Sequence, residues 1–182
     1  MTGYIALLRG INVGGNNVVK MAELRTELEA RGLRNVRTYI QSGNILCESD
    51  GAAETVEGIV GAALAAMLGK TIEVVVRSFD ELERILAECP YTPSSPEEGK
   101  RILVALMRGP ASPEALEAAL RGGPEEADSG DAFLVKEREA YFRFGTNMSE
   151  SPLGDRMMKL KGNGVTTRNW NTMDKLLTMS RE

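Results

Sequence analysis

Apolar positions along this chain recur with two different periods, and the switches between them mark its elements. Tyr4–Arg9 is almost wholly apolar, the pattern of a strand buried on both faces. Met21, Leu24 and Leu28 then recur at helical spacing, predicting a helix from about Lys20 that Gly32 closes. Val36–Ile40 and Asn44–Cys47 read as strands joined by the short turn Gln41-Ser42-Gly43. Val56, Ile59, Val60, Ala63, Leu64 and Met67 form one stripe, predicting a helix over 53–68 closed by Gly69. The β-branched run Ile72–Arg77 makes a further strand. The order β-α-β-β-α-β is the ferredoxin-like pattern, with two helices on one face of an antiparallel sheet.

Ser78-Phe79-Asp80-Glu81 carries the serine and glutamate of a capping box. It predicts a connecting helix with Leu82, Ile85 and Leu86 facing inward. Proline and serine then crowd residues 89–99, which reads as a linker. Beyond it Ile102–Met107 is another apolar strand, and Ser112 with Pro113 supplies an N-cap and a first-turn proline for a helix. An acidic loop (122–130), a hairpin (132–136 and 141–144) and a short helix near 153–160 follow. A terminal helix is expected from about Thr167, carrying Trp170, Met173, Leu176 and Leu177. The expected fold is therefore α+β: two linked ferredoxin-like subdomains, 1–89 with its connecting helix and 100–182 with a C-terminal helix.

Composition narrows the chemistry. The chain has 182 residues, 42% apolar and 26% charged, the balance of an ordinary globular protein. No segment has the apolar length to span a bilayer, and no leader pattern precedes the first strand. Two cysteines, Cys47 and Cys89, form no paired motif, so no disulfide and a cytoplasmic address are expected. Histidine is absent, which removes Ser-His-Asp and Cys-His nucleophiles and histidine-ligated metal sites from this chain. Neither a metal nor a cofactor is expected. The net charge is −4 but unevenly spread: residues 1–44 hold six basic against three acidic side chains, as do residues 155–182, while 45–154 hold ten against twenty. Either the two basic ends form one electropositive face, or these are solvated helix faces that never meet.

Three polar segments stand out as candidates. Gly10, Gly14 and Gly15 with Asn12 fill the first strand-to-helix loop, flanked by Arg9 and Lys20. The spacing is neither a dinucleotide fingerprint nor a phosphate loop. Gly14 and Gly15 either present amides to an anion or supply the left-handed geometry of a tight turn. Gln41, Ser42 and Asn44 bunch amide and hydroxyl groups in the second turn, which ordinary turn chemistry explains apart from Gln41. In Thr166-Thr167-Arg168-Asn169-Trp170-Asn171-Thr172, Arg168 and Trp170 with Asn169 either line a binding pocket, or Thr167 caps the helix and Trp170 enters the core. Phe133, Tyr141, Phe142 and Phe144 on the hairpin are read as core, because the basic-aromatic stretch of an RNA-recognition sheet is missing and the region is acidic. Cys47, inside a strand, is read as a small hydrophobe.

With these motifs laid out, the chain resembles a bacterial family known as domain of unknown function 1697. The resemblance rests on the segment Tyr4 to Gly15, on Lys20-Met21-Ala22-Glu23-Leu24, on the run Arg37 to Asn44, and on Thr166 to Thr172. It implies two linked ferredoxin-like subdomains and no activity. The first functional expectation is binding of a small anionic or nucleotide-like ligand, in a cleft shared by the 9–20 loop, the 41–44 turn and the 167–172 segment. Arg9, Lys20 and Arg168 would supply charge there; Asn12, Gln41, Ser42, Asn44 and Asn169 would supply hydrogen bonds. The alternatives are a nucleic-acid-associated protein using the same face and a histidine-free enzyme with a carboxylate or Lys20 as base.

Overall fold

The apolar runs fold as strands and the striped segments as helices over residues 1–160 and 164–182, which the computed structural model describes (Glu125 by its backbone alone). The chain divides into two units, Met1–Arg84 with Leu176–Glu182, and Ile85–Lys175. Among the described residues there are seven α-helices and two four-stranded antiparallel sheets.

In the first unit the elements are β1 (Thr2–Leu8), α1 (Met21–Ala30), β2 (Arg34–Tyr39), β3 (Asn44–Ser49), α2 (Ala53–Leu68) and β4 (Val74–Ser78). The sheet order is β2-β3-β1-β4. The inner place of β1 explains its apolar run, since Tyr4 through Leu8 are all buried. Alternate residues Tyr4, Ala6 and Leu8 join Ile45, Val74 and Val76 in one core cluster with Leu24 and Leu28 of α1 and Val60 and Leu64 of α2. Both helices therefore cover the same face. Each fully buried leucine, isoleucine or valine there contributes about 1.5–3 kcal/mol. Gly69 ends α2 at φ 71, a conformation that costs glycine nothing.

Helix α3 (Phe79–Ala87) opens on the expected capping box: Ser78 Oγ accepts from the Glu81 N–H at 3.1 Å, and Glu81 Oε2 accepts from the Ser78 N–H at 2.8 Å. The expected linker contains a one-turn helix, α4 (Pro96–Lys100), capped by Ser95, whose Oγ accepts from the Glu98 N–H.

The second unit contains β5 (Ile102–Met107), α5 (Pro113–Leu120), β6 (Ala132–Val135), β7 (Glu139–Arg143), α6 (Pro152–Leu160), β8 (Val165–Asn169) and the start of α7 (Trp170–Ser180), whose residues from Leu176 on belong to the first unit. Its sheet runs β6-β7-β5-β8, so each unit has the element order β-α-β-β-α-β followed by a helix, with the same strand order. Phe142 and Phe144 are buried with their rings stacked, and belong to this unit's core as expected. One expectation is corrected here. Residues 165–169 form strand β8, and the terminal helix begins at Trp170, not Thr167. The cap is Asn169, whose Oδ1 accepts from the Thr172 N–H at 2.9 Å, and Thr167 lies opposite Ala105 in the sheet. Trp170 is half-buried at the first turn of α7, outside the core proper.

Candidate functional site

Residues 10–19 fold as a miniature hairpin on the end of β1. The Asn12 N–H donates to Asn17 O at 3.2 Å and the Asn16 N–H to Val13 O at 3.0 Å, leaving Gly14 and Gly15 as the two central residues. Both are left-handed (φ 56 and 77), the requirement of a type I′ turn. A Cβ at either would meet open space, so backbone conformation and not crowding selects glycine. Both residues are exposed. The turn reading of these glycines is thus correct.

Asn12 holds the hairpin in place. Its Oδ1 accepts from the Val19 N–H at 2.8 Å, while its Nδ2 donates to Val19 O at 3.0 Å and to Gln41 O at 2.8 Å. The last bond ties the loop to the second candidate turn. Asparagine suits the position because its own backbone is left-handed, at φ 55. Asn17 repeats the device, donating from Nδ2 to Gly10 O at 2.7 Å.

In the 41–44 turn, Asn44 is fully buried and donates from Nδ2 to Tyr39 O and Ser42 Oγ. Gly43, at φ 85, passes so close to β1 that a Cβ there would lie 2.6 Å from Leu8 Cβ. Ser42 and Asn44 therefore hold the turn together, and the Gln41 side chain points into solvent. Next to it Ile40 is a β-branched residue at φ 49 with 49% of its surface exposed.

The charged groups differ in how far they are committed. Arg9 is ion-paired to Glu73 at 2.6 Å. Lys20 is the N-cap of α1 and is exposed; its pair with Glu23 at 2.9 Å holds the ammonium above the ordinary lysine value. No side chain caps α1, so its first-turn amides open directly after the Gly/Asn loop.

The third candidate segment lies in the second unit and is built differently. Arg168 sits in β8 opposite Val104, half-buried, and donates from Nη1 to Thr166 Oγ1 at 3.1 Å and to Thr167 O at 2.9 Å. Burial pushes its guanidinium down to about 10. Asn169 caps α7, and Asn171 Nδ2 donates to Pro96 O, anchoring α4. The first unit contains the same arrangement. Arg77 of β4 lies opposite Ile5, donates from Nη1 to Val76 O at 3.0 Å, and precedes the cap Ser78 and the aromatic Phe79. Arg168-Asn169-Trp170 is thus the counterpart of Arg77-Ser78-Phe79.

The structure joins the 9–20 loop to the 41–44 turn within one unit; Arg168, Asn169 and Trp170 belong to the other. Sequence reading missed the importance of Arg77. What the sequence does carry is a sign of the two-unit repeat, since Ala6-Leu7-Leu8-Arg9-Gly10 recurs as Ala105-Leu106-Met107-Arg108-Gly109 along the matching strands β1 and β5. Cys47 is buried in the core, where desolvation pushes its thiol up to about 12, and Cys89 is likewise free. Among the described residues no three histidine, cysteine, aspartate or glutamate side chains gather into a metal-holding group, and no helix is long and apolar enough to cross a membrane.

The profile of a family described as a protein of unknown function (DUF1697) matches residues 1–141. Among solved structures, that of a conserved bacterial protein, SP0830 from Streptococcus pneumoniae, is similar with a TM-score of 0.75 and 26% identity, covering 98% of each chain. No curated protein matches.

Proposed function

The chain belongs to the DUF1697 family, and from that premise, which carries no activity with it, we propose a cytoplasmic protein that binds a small anionic or nucleotide-like ligand at the Gly/Asn loop. The observation that carries the reading is the uncapped N-terminus of α1 set directly behind the exposed Gly14–Gly15 turn, with the Lys20 ammonium at the N-cap. Open first-turn amides and the helix dipole favour an anion there, and Lys20 adds a mobile positive charge. Asn12 supports the reading by fixing the loop to Gln41 in advance of binding, which lowers the ordering cost. Arg168, Asn169 and Trp170 are proposed as a second contribution to recognition, to be tested separately. We also infer a ferredoxin-like topology for each unit, supported by the β-α-β-β-α-β order and the strand order of both sheets.

Thermal melts with inorganic phosphate and with nucleoside mono- and triphosphates test this. Ligand-dependent stabilisation is expected in the wild type, lost in Lys20→Ala with the unliganded melting temperature unchanged. Arg168→Ala, melted with and without the same ligands, separates a ligand contact from a purely structural role. A shallow salt dependence of affinity fits a pocket, whereas a steep one transfers the reading to a nucleic-acid strip. No stabilisation by any of these anions ends it.

A further inference from the structure

The two units connect their first helix to their second strand differently. Residues 31–33 suffice between α1 and β2, whereas residues 121–131 run between α5 and β6. The shared topology does not need that length, and loops carried on a rigid scaffold are where binding groups concentrate. Here the loop contains a one-turn helix, Pro124–Glu126, and borders a cavity of about 180 Å³. Leu120, Phe133 and Leu153 form the apolar side of this cavity, and Glu126, Asp131 and Arg156 its polar side.

One side chain joins the loop to both helices. Arg156 of α6 donates from Nε to the Leu120 carbonyl at 2.8 Å, taking up an acceptor at the C-terminal end of α5. Its other two nitrogens meet Glu126 as a fork: Nη1 donates to Oε1 at 2.9 Å and Nη2 to Oε2 at 2.5 Å. This is the bidentate geometry in which a guanidinium recognises a carboxylate. The bonds from Arg156 hold the Glu126 carboxyl below the usual carboxylate range. Gly122 belongs to the same construction, since a Cβ there would lie 2.8 Å from Arg156 Nη2 and run into the Glu126 carboxylate. Asp131 is committed elsewhere: its Oδ1 accepts from the Gly145 N–H and its Oδ2 from the Ser151 hydroxyl. The fork and its occupant are thus held by different means. Helix α6 and the Leu120 carbonyl fix the guanidinium without help from Glu126, whereas Glu126 arrives on the long connection. The carboxylate seat adjoins a cavity of ring size, since about 150 Å³ lined by apolar groups takes up benzene.

We propose that Arg156 and this cavity form a binding site for a small aromatic carboxylate, with Glu126 occupying the carboxylate seat as the protein's own competitor until the ligand displaces it. The ligand's carboxylate takes the Nη1–Nη2 fork, its ring stands among Leu120, Phe133 and Leu153, and the 121–131 loop carries Glu126 out to solvent. Phe133 selects a ring over an alkyl chain by aromatic pairing. The site lies within the second unit, separate from the Gly/Asn loop, and stands whether or not that loop binds an anion.

Methyl NMR of the full chain, titrated with benzoate and with neutral benzyl alcohol, tests it. Saturable shifts are expected at the Leu120 and Leu153 methyl groups and none at Leu24 of the first unit. Benzoate should bind at least about tenfold tighter than the alcohol, the size of one charge-assisted contact. Glu126→Gln removes the competing charge and should tighten benzoate by at least about tenfold, because the seat no longer has to be vacated. A pair that only holds the loop in place predicts no such gain. Arg156→Gln should bring benzoate to the affinity of the alcohol. Should that variant not fold, Ala127→Phe fills the cavity from the loop and should abolish binding of both probes. Four results overturn the proposal: no saturable shift at Leu120 or Leu153 in either the wild type or Glu126→Gln, equal affinity for benzoate and alcohol, benzoate affinity that Glu126→Gln leaves unchanged or weakens, or binding that survives Ala127→Phe.

Discussion

Ile40 combines a left-handed backbone with a β-branched side chain that is half in solvent, so its burial offsets little of the strain. Ile40→Gly, and to a lesser degree Ile40→Asn, should raise stability by about 1 kcal/mol, read as a later midpoint in urea. A lower midpoint would mean that the exposed isoleucine makes a contact worth more than the strain. Asn12 is the opposite case, with a tolerated left-handed conformation and three hydrogen bonds made by one side chain. Asn12→Ala should cost about 2–4 kcal/mol, and Asn12→Gly about 1 kcal/mol less, because glycine loses the bonds without adding strain. Equal losses in the two variants would remove the backbone part of that account. Cys47 should resist thiol reagents in the native protein at pH 8 and react fully in denaturant, since its thiol stays protonated up to about 12. Arg168 gives a pH dependence of defined sign. Its folded-state value of about 10 is below the ordinary arginine value, so the unfolded chain binds more protons between the two and stability rises with pH only in that window. Near neutral pH it contributes a constant cost and no slope.

Local signals account for most of the element boundaries. Apolar runs, helical stripes, the capping box at Ser78, the Ser112-Pro113 start and the Gly69 stop are each written in a few neighbouring residues, and each folds as those residues predict. Strand β8 fails that rule because Thr166, Thr167, Arg168 and Asn169 are polar. Their strand conformation comes from pairing with β5, a contact no local pattern records. The same limit applies at the candidate site. That the 9–20 loop is a glycine turn follows from its residues, whereas the bond from Asn12 to the Gln41 carbonyl, 29 positions away, requires the folded sheet. The cap at Asn169 gives an element-level prediction. Asn169→Ala should destabilise by about 1 kcal/mol and fray the first turn of α7, seen as faster amide exchange at Thr172. Protection at Thr172 unchanged from the wild type would show that the cap is not what holds that turn.

Across the whole molecule, two copies of one topology allow each unit to serve as a control for the other. Where the copies agree, as in the Arg77 and Arg168 bonds to the preceding carbonyl, a shared structural duty is the economical explanation. Where they differ, the fold does not demand the difference, and function has room. One such difference is the hairpin of residues 11–19, which fills one core and carries the exposed Gly14–Gly15 turn outward, against two residues in the other unit. Truncation at matched places should therefore have unequal effects. Ile11→Ala removes buried methyl groups from a packed core and should cost about 2–5 kcal/mol. Leu116→Ala enlarges a second cavity, lined also by Met107 and Val165, that is already open, so its side chain forfeits fewer contacts and the loss should stay below about 2 kcal/mol. Urea midpoints of the two variants decide this. A Leu116→Ala loss equal to that of Ile11→Ala would show the second unit to be as tightly filled there as the first.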